Sequence, residues 1–291
     1  MRISTEIHST ARIVGMEKAI ELIAQAGFDC WDLSMFDMAR LERATLRVLD
    51  SDHPLHSKEY AAFVKRLRRI GEDCGISCNQ AHAPYPSRGR EMMDYLKRAI
   101  ECAALAGSTI CVVHPDNNKS AEENALLYGE LLPTAKAYGV RIAAENMWNW
   151  DKEVGKARPA ACSHHEDFVR HIRAVNDPYL VACLDIGHAE MRGLGTSAPE
   201  MIRALGSSIH ALHLHDNDCH LDSHQPPRSM SIDFDAVLSA LGGIGYDGDF
   251  TLEAYKYLLE FDEQTVADGV SALARSARAL ADRYDELRGR K

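Results

Sequence analysis

Short runs rich in β-branched and other apolar residues alternate along this 291-residue chain with longer segments whose apolar positions recur at i, i+3 and i+4. The runs predict strands over residues 3–8, 30–35, 76–82, 109–114, 140–146, 180–185, 209–215 and 249–254. The longer segments predict helices over 16–26, 60–70, 92–106, 234–241 and 263–287; in the first, Ala19, Ile20, Ile23 and Ala24 share one face. Punctuation agrees with the periodicity. Gly27, Gly75, Gly107, Gly139 and Gly245 each precede a strand, where a helix ends best on a residue that tolerates positive φ. Ser197-Ala198-Pro199-Glu200 has a capping hydroxyl, an early proline and an acidic first turn, which predicts a helix start.

Eight strand–helix alternations without a Gly/Ser-rich linker predict an α/β protein, a (β/α)8 TIM barrel filling residues 1–291 as one domain. An open, doubly wound sheet is the alternative. The 46% hydrophobic content supplies a large core. A net charge of -10, with no basic stripe, argues against a nucleic-acid partner. No apolar run reaches the roughly 18 residues of a membrane span, and Arg2 brings charge too early for a secretory leader, so no membrane association and a cytoplasmic location are expected. The eight cysteines are scattered, with no Cys-x-x-Cys pair, and several sit in apolar runs; reduced, buried thiols are expected.

Composition changes the picture most at the strand ends. Barrel enzymes carry their chemistry at the C-terminal ends of the strands, and here those ends hold His8, His82, His114, Glu145, Asp185, His213, His215 and Glu253. Period-two alternation turns them inward: Leu212 and Leu214 face out, so His213 and His215 face in, and Arg141, Ala143 and Glu145 share a face, as do Val181, Cys183 and Asp185. A lone histidine or glutamate at a strand end needs no special explanation. Three carboxylates in one partly buried lumen do, because repulsion and desolvation are costly without a cation. Glu145, Asp185, His213 and Glu253 form an oxygen-rich, one-nitrogen donor set suited to a divalent metal such as Mn, Mg, Co or Zn.

At these residues the chain resembles the xylose isomerase-like TIM barrel superfamily, which holds sugar isomerases and epimerases, sugar-acid dehydratases and, more distantly, endonuclease IV. Leu184-Asp185-Ile186-Gly187-His188-Ala189 is similar to its Asp-x-x-His motif. Ala81-His82-Ala83-Pro84-Tyr85, Val112-Val113-His114-Pro115, Ala144-Glu145-Asn146, His213-Leu214-His215-Asp216-Asn217 and Thr251-Leu252-Glu253 follow in order on successive strands. The resemblance to the ketose epimerases implies that Glu145, Asp185, His213 and Glu253 bind one metal, that Glu145 and Glu253 exchange the substrate proton, and that His188 contacts substrate. The resemblance to endonuclease IV adds His82, His114, His188, Asp222 and His224 as further metal or substrate ligands, and with them more than one ion. Against that nuclease, Asp185-Ile186-Gly187-His188 replaces Asp-Thr-Cys-His, and no Thr-Ala-Gly-Gln-Gly run follows Glu145. Residues 225–234 are closer to the Pro-Gly-x-Gly-x-Ile-Asp-Phe pattern of sugar isomerases, with Arg228 and Met230 in place of glycines.

The expectation is therefore a metal-dependent isomerase or epimerase of a small sugar-like molecule, polyol or sugar acid. A dehydratase on the same site, or a multi-zinc phosphodiester hydrolase, is the alternative. Trp148, with Trp150, is expected either to wall the sugar site or to pack over the barrel rim. Arg228, Tyr85, His215 and Asn217 are candidate substrate contacts, and the Tyr255-Lys256-Tyr257 run either reaches the site or caps the last loop. His164-His165 is expected at the surface. No Walker-type or Gly-x-Gly-x-x-Gly phosphate cradle is present. Relatives in this superfamily are often dimers or tetramers, so the resemblance leaves a homo-oligomer open.

Overall fold

The apolar runs form eight parallel strands in the computed structural model of the chain, which describes residues 1–42 and 44–289. These are β1 (Ile3–Thr5), β2 (Cys30–Ser34), β3 (Ser77–His82), β4 (Ile110–Val112), β5 (Arg141–Glu145), β6 (Leu180–Asp185), β7 (Ile209–His213) and β8 (Phe250–Leu252). Strands β2 to β7 pair in chain order, and β1 pairs with β8 in the register Ser4↔Thr251. Parallel bridges Glu6↔Asp32 and Leu214↔Leu252 join the two pieces and close the barrel.

The ring outside consists of α1 (Met16–Gln25), α2 (Tyr60–Asp73), α3 (Arg90–Ala106), α4 (Ala121–Tyr138), α5 (His165–Val175), α6 (Ala198–Leu205), α7 (Phe234–Ile244) and α8 (Val266–Leu287). Ser197 caps α6 as expected, accepting from the Glu200 amide. Helix α8 shows why such segments fold onto the barrel: Val266, Val270, Leu273, Ala277, Leu280 and Tyr284 form one buried stripe, and the Tyr284 hydroxyl donates to the Tyr246 carbonyl at 2.8 Å. All eight cysteines are unpaired, and among the described residues no helix is long and apolar enough to cross a membrane.

Alternation within each strand produces two interiors. Outward residues such as Ile3, Leu33, Ala81, Ile142, Leu184, Leu212 and Leu252 join the main core under the helices. Inward residues Val112, Ala143, Val181, Cys183 and Ala211 fill the β4–β7 side of the lumen. The β1–β3 and β8 side is polar instead. There the Ser4 hydroxyl donates to Asn79 (2.7 Å), the Asn79 amide to Thr251 (2.9 Å), the Thr251 hydroxyl to Gln80 Oε1 (3.2 Å) and Gln80 Nε2 to Asp32 (2.9 Å). A bulge allows this: Trp31 pairs with Cys78 but Asp32 with Gln80, leaving Asn79 as the extra residue.

Most strands end earlier than periodicity predicts, although β3 and β6 end at His82 and Asp185 as expected. His8 starts a short helix (His8–Val14) rather than ending β1, and His114, His215 and Glu253 follow the last residues of β4, β7 and β8. Loops at this end add elements that periodicity does not reveal: antiparallel hairpins Arg40–Leu41/Val48–Leu49 and Asn149–Asp151/Lys156–Arg158, and helical turns Ile186–Ala189 and Tyr255–Leu258. They build a rim around the barrel mouth.

Candidate metal centre and cavity

Glu145 ends β5, Asp185 ends β6, His213 ends β7 and Glu253 follows β8. One donor atom from each lies within 4.8 Å of the others, and all four side chains are buried. The four residues predicted as a ligand set therefore converge. Asp185 is fixed from behind. Asp185 caps the Ile186–Ala189 turn by accepting from the His188 amide at 2.7 Å. Asn146 clamps β5 to β6: its Nδ2 donates to the Asp185 carbonyl and its Oδ1 accepts from the Asp185 amide, both at 2.8 Å.

The imidazoles divide into two sets. His82 and His114 meet through Nε2 at 2.8 Å, and His114 Nε2 lies 2.8 Å from Glu145 Oε2. On the other side His188, His215, Asp222 and His224 offer a second cluster of converging donors. His215 Nε2 is 3.0 Å from Asp185 Oδ1, which links this cluster to the first. His215 stacks on His224 with centroids 3.7 Å apart. The ring occupies space that only Gly187 leaves open, since a Cβ at 187 would sit 1.9 Å from His215 Cε1.

The electrostatics are strongly perturbed. Burial works to raise Glu145, but His213 and His114 hold its carboxyl well below the usual range. Burial pushes Glu253 well above it against the pull of His213, and repulsion from Glu145 and Asp185 adds to the rise. Burial opposes a charge on His213 and on His188, yet Cys183 and Glu145 raise the first, and Asp185 and Asp222 the second, well above the ordinary imidazole value. Burial, with His114 alongside, drives His82 far down, and burial with His215 brings His224 to about 4.

These residues fit a divalent cation on their own hydrogen-bonding chemistry. The Glu253 carbonyl lies 2.6 Å from His224 Nδ1, which obliges that nitrogen to carry the proton. The neutral ring then turns its Nε2 lone pair toward Asp222 Oδ2 at 3.0 Å, acceptor against acceptor. Among the described residues, buried atoms left without a hydrogen-bond partner gather in the same place: His82 Nδ1, His114 Nδ1, Asp185 Oδ2, both His215 nitrogens and Asp222 Oδ1. Such a concentration of unsatisfied donor-set atoms is costly unless a cation engages them.

Above the cluster opens a cavity of about 400 Å³, within the size range of small-molecule pockets. Phe36, Tyr85, Met147, Trp148 and Tyr255 wall it, and Glu145, His188, Asp222, His224 and Glu253 reach it from the base. Among the described lining residues there is no lysine or arginine. A larger open depression of about 1030 Å³ at the other end of the barrel is lined by ion pairs such as Arg2–Asp249 (2.7 Å), away from the converging donors.

Some expectations on individual residues are corrected. Arg228 lies outside the cavity, exposed, with its guanidinium 2.7 Å from Asp235. Its φ of 67° keeps the conformation of the glycine expected at that point of the loop, and this backbone directs the side chain outward. Trp150 sits in the rim hairpin with its ring edge-on to His220, whereas Trp148 walls the cavity. Asn217 donates to the Gly187 carbonyl at 3.0 Å and so supports the Asp185–His188 turn from behind. Tyr255 reaches the cavity; Lys256 donates to the Asp222 carbonyl. His164 caps α5, outside the cavity lining, and His165 follows it. Phe36, Met147 and the Asn146 clamp were not singled out from sequence, although Asn146 and Met147 directly follow Glu145.

Residues 20–277 match the family model described as xylose isomerase-like TIM barrel. An uncharacterized protein of Methanocaldococcus jannaschii, MJ1311, is 25% identical over 256 residues, which is 82% of this chain and 78% of that protein. Among solved structures, a D-tagatose 3-epimerase-like protein aligns with a TM-score of 0.69 and 22% identity over 97% of this chain and 99% of its own. The IolI protein with a binding zinc atom aligns with a TM-score of 0.73 and 18% identity over 98% and 99%. At these identities the structural likeness carries the barrel fold, while the sequence model spans most of the chain: the protein belongs to the xylose isomerase-like TIM barrel family.

Proposed function

We propose that this protein is a metal-dependent isomerase or epimerase acting on an uncharged, sugar-like substrate. The observation that carries the reading is the convergence of Glu145, Asp185, His213 and Glu253 under a cavity walled by aromatic rings and free of lysine and arginine among its described lining residues. A similar fold in a D-tagatose 3-epimerase-like protein and in zinc-binding IolI supports it. A divalent ion held by these four residues would supply Lewis acidity, polarising a substrate carbonyl or hydroxyl and acidifying the adjacent C–H.

The chain's own groups then divide the work. Glu145, held anionic, accepts the proton from that carbon; Glu253, ionised as a ligand, returns one to it, drawing that proton from solvent as Glu145 releases its own. The two come from β5 and from beyond β8, three strands apart around the ring, so they flank a molecule in the cavity from different sides. His188 hydrogen-bonds a substrate hydroxyl, and Trp148, Tyr85 and Phe36 cover the apolar face of the ring and exclude water. Returned to the opposite face, the proton inverts the carbon; returned to the neighbouring carbon, it isomerises the sugar.

A second reading, a multi-zinc hydrolase, is favoured by the His188–His215–Asp222–His224 cluster and by His82 and His114 beside Glu145. Metal stoichiometry separates the two. One ion per chain, with wash-in of solvent deuterium at a single carbon of a ketose or related sugar, supports the isomerase. Two or three zinc ions per chain, with phosphodiester cleavage and no deuterium wash-in, overturns it. Under the isomerase reading Glu145→Gln and Glu253→Gln each lower kcat at least about 100-fold, the lower end of a general acid–base contribution. Unchanged turnover in either variant removes that residue from the proton path.

A further inference from the structure

The geometry points to Asp32 as the residue that positions His213 for metal binding, an inference that rests on the metal centre proposed above. Asp32 lies in the middle of β2, fully buried, facing the lumen. A carboxylate taken wholly out of water loses its hydration, which charge and hydrogen bonds must replace. Its hydrogen bonds come from neutral groups: Gln80 Nε2 at 2.9 Å to Oδ2 and the Ser34 hydroxyl at 3.4 Å to Oδ1. The ring behind which it stands is His213, whose Nε2 lies 3.7 Å from Oδ2.

His213 is bracketed by carboxylates of two kinds. Its Nδ1 faces the donor cluster, 3.0 Å from Glu145 Oε1 and 3.9 Å from Glu253 Oε2. Its Nε2 has no hydrogen bond within the described residues and turns toward Asp32. A carboxylate behind the far nitrogen of a ligating histidine holds the proton on that nitrogen, leaves the near lone pair for the metal and raises its basicity. His82 stacks against the ring, with centroids 4.9 Å apart, and keeps it in plane.

The polar half of the lumen aims Asp32 at this task. Thr251 donates to Gln80 Oε1, which forces Gln80 to present its amide nitrogen to Asp32; Asn79 and Ser4 hold Thr251 in turn. The other half of the same lumen is filled without any such network, by Val112, Ala143, Val181, Cys183 and Ala211. Filling space does not require the polar chain, whereas orienting a carboxylate does.

The test is a chelator-competition titration of metal-free protein with Co(II), read from its visible spectrum. Asp32→Asn, which keeps the shape and removes the charge, should weaken Co(II) binding about 10- to 100-fold and alter the absorption band. The unfolding temperature of the metal-free variant should stay within about 4 °C of wild type. Unchanged affinity and spectrum, whatever the unfolding temperature, overturns the inference while leaving the centre intact. A wild-type chain that binds no Co(II) or zinc overturns both. The zinc-loaded wild-type protein supplies an answer that does not depend on a variant folding: the nitrogen-15 spectrum of its histidine side chains should show His213 ligated through Nδ1 and protonated at Nε2. Ligation through Nε2 overturns the inference.

Discussion

Gly187 and His215 share a space that holds only one side chain. A Cβ on Gly187 would meet the His215 ring at 1.9 Å from Cε1 and 2.4 Å from both nitrogens, and His215, fully buried and stacked on His224, has nowhere to withdraw. Gly187→Ala should therefore cost about 1–3 kcal/mol, the range for overpacking a tight interior, and should displace His215 from Asp185. A denaturant titration reads the first effect and metal stoichiometry the second; a variant as stable as wild type, with unchanged metal content, would count against this packing. The pair also marks how far residue-level reading reaches. Period-two alternation put Glu145, Asp185, His213 and Glu253 on the lumen side because that rule spans only a few residues of one strand. The contact between Gly187 and His215 joins the ends of two strands, so nothing local to either residue announces it. Arg228 errs the other way: its sequence neighbourhood resembles a substrate loop, but its positive φ and its pairing with Asp235 turn it to solvent.

At the scale of elements, the strands and most ring helices were legible because burial of one face imposes a period. Helix α4 lacked that clarity. Leu126 is 76% exposed and Pro133 lies inside the helix, so no single apolar stripe stands out. Its start was nevertheless written locally, in Ser120 and Glu123. The Ser120 hydroxyl accepts from the Glu123 amide, and the Glu123 carboxylate accepts from the Ser120 amide at 2.9 Å. Ser120→Ala should cost about 1 kcal/mol and lower the melting temperature by roughly 2–4 °C, with metal binding unchanged because α4 belongs to the outer ring. Calorimetry with and without added metal checks both halves of that statement. The rim elements were not legible for a different reason. The hairpin at Asn149–Asp151/Lys156–Arg158 and the turn at Ile186–Ala189 are too short to show a period, and their position is set by the barrel mouth they cover. The bulges that leave Asn79 and His210 unpaired arise from register between strands, which a single strand does not encode.

Across the whole molecule, buried acidic and imidazole groups are concentrated at one end of the barrel, and this would couple stability to a bound metal and to pH. In the metal-free protein Glu253 and His213 both have pKa values well above their ordinary ones, as does His188. A histidine raised in the folded state contributes stability that is fully present below its unfolded pKa of about 6.5 and is lost as pH rises through the folded value. A glutamate raised by burial acts in the same direction: the folded chain keeps a proton that the unfolded chain releases near 4.3, so raising the pH removes stability. Glu145, Asp185 and Asp222, held low, are already ionised at neutral pH and contribute no slope there. Metal ligation reverses the sign, because His213 and Glu253 must give up their protons to bind, so affinity rises with pH. In the metal-free protein His82 and His224, pushed down by burial, act oppositely, but only up to about the unfolded value of 6.5. Between pH 7 and 8 the melting temperature of the chelator-treated protein should therefore fall or stay level, while the gap to the metal-loaded protein widens. At 100 times Kd a bound ion adds about 2.7 kcal/mol, and each tenfold gain in affinity adds about 1.4 kcal/mol more. Titrations in two buffers of different ionisation enthalpy should report protons released on binding at pH 7. A gap that narrows with rising pH, or binding that releases no proton, would mean that Glu253 and His213 are not the groups that receive the ion.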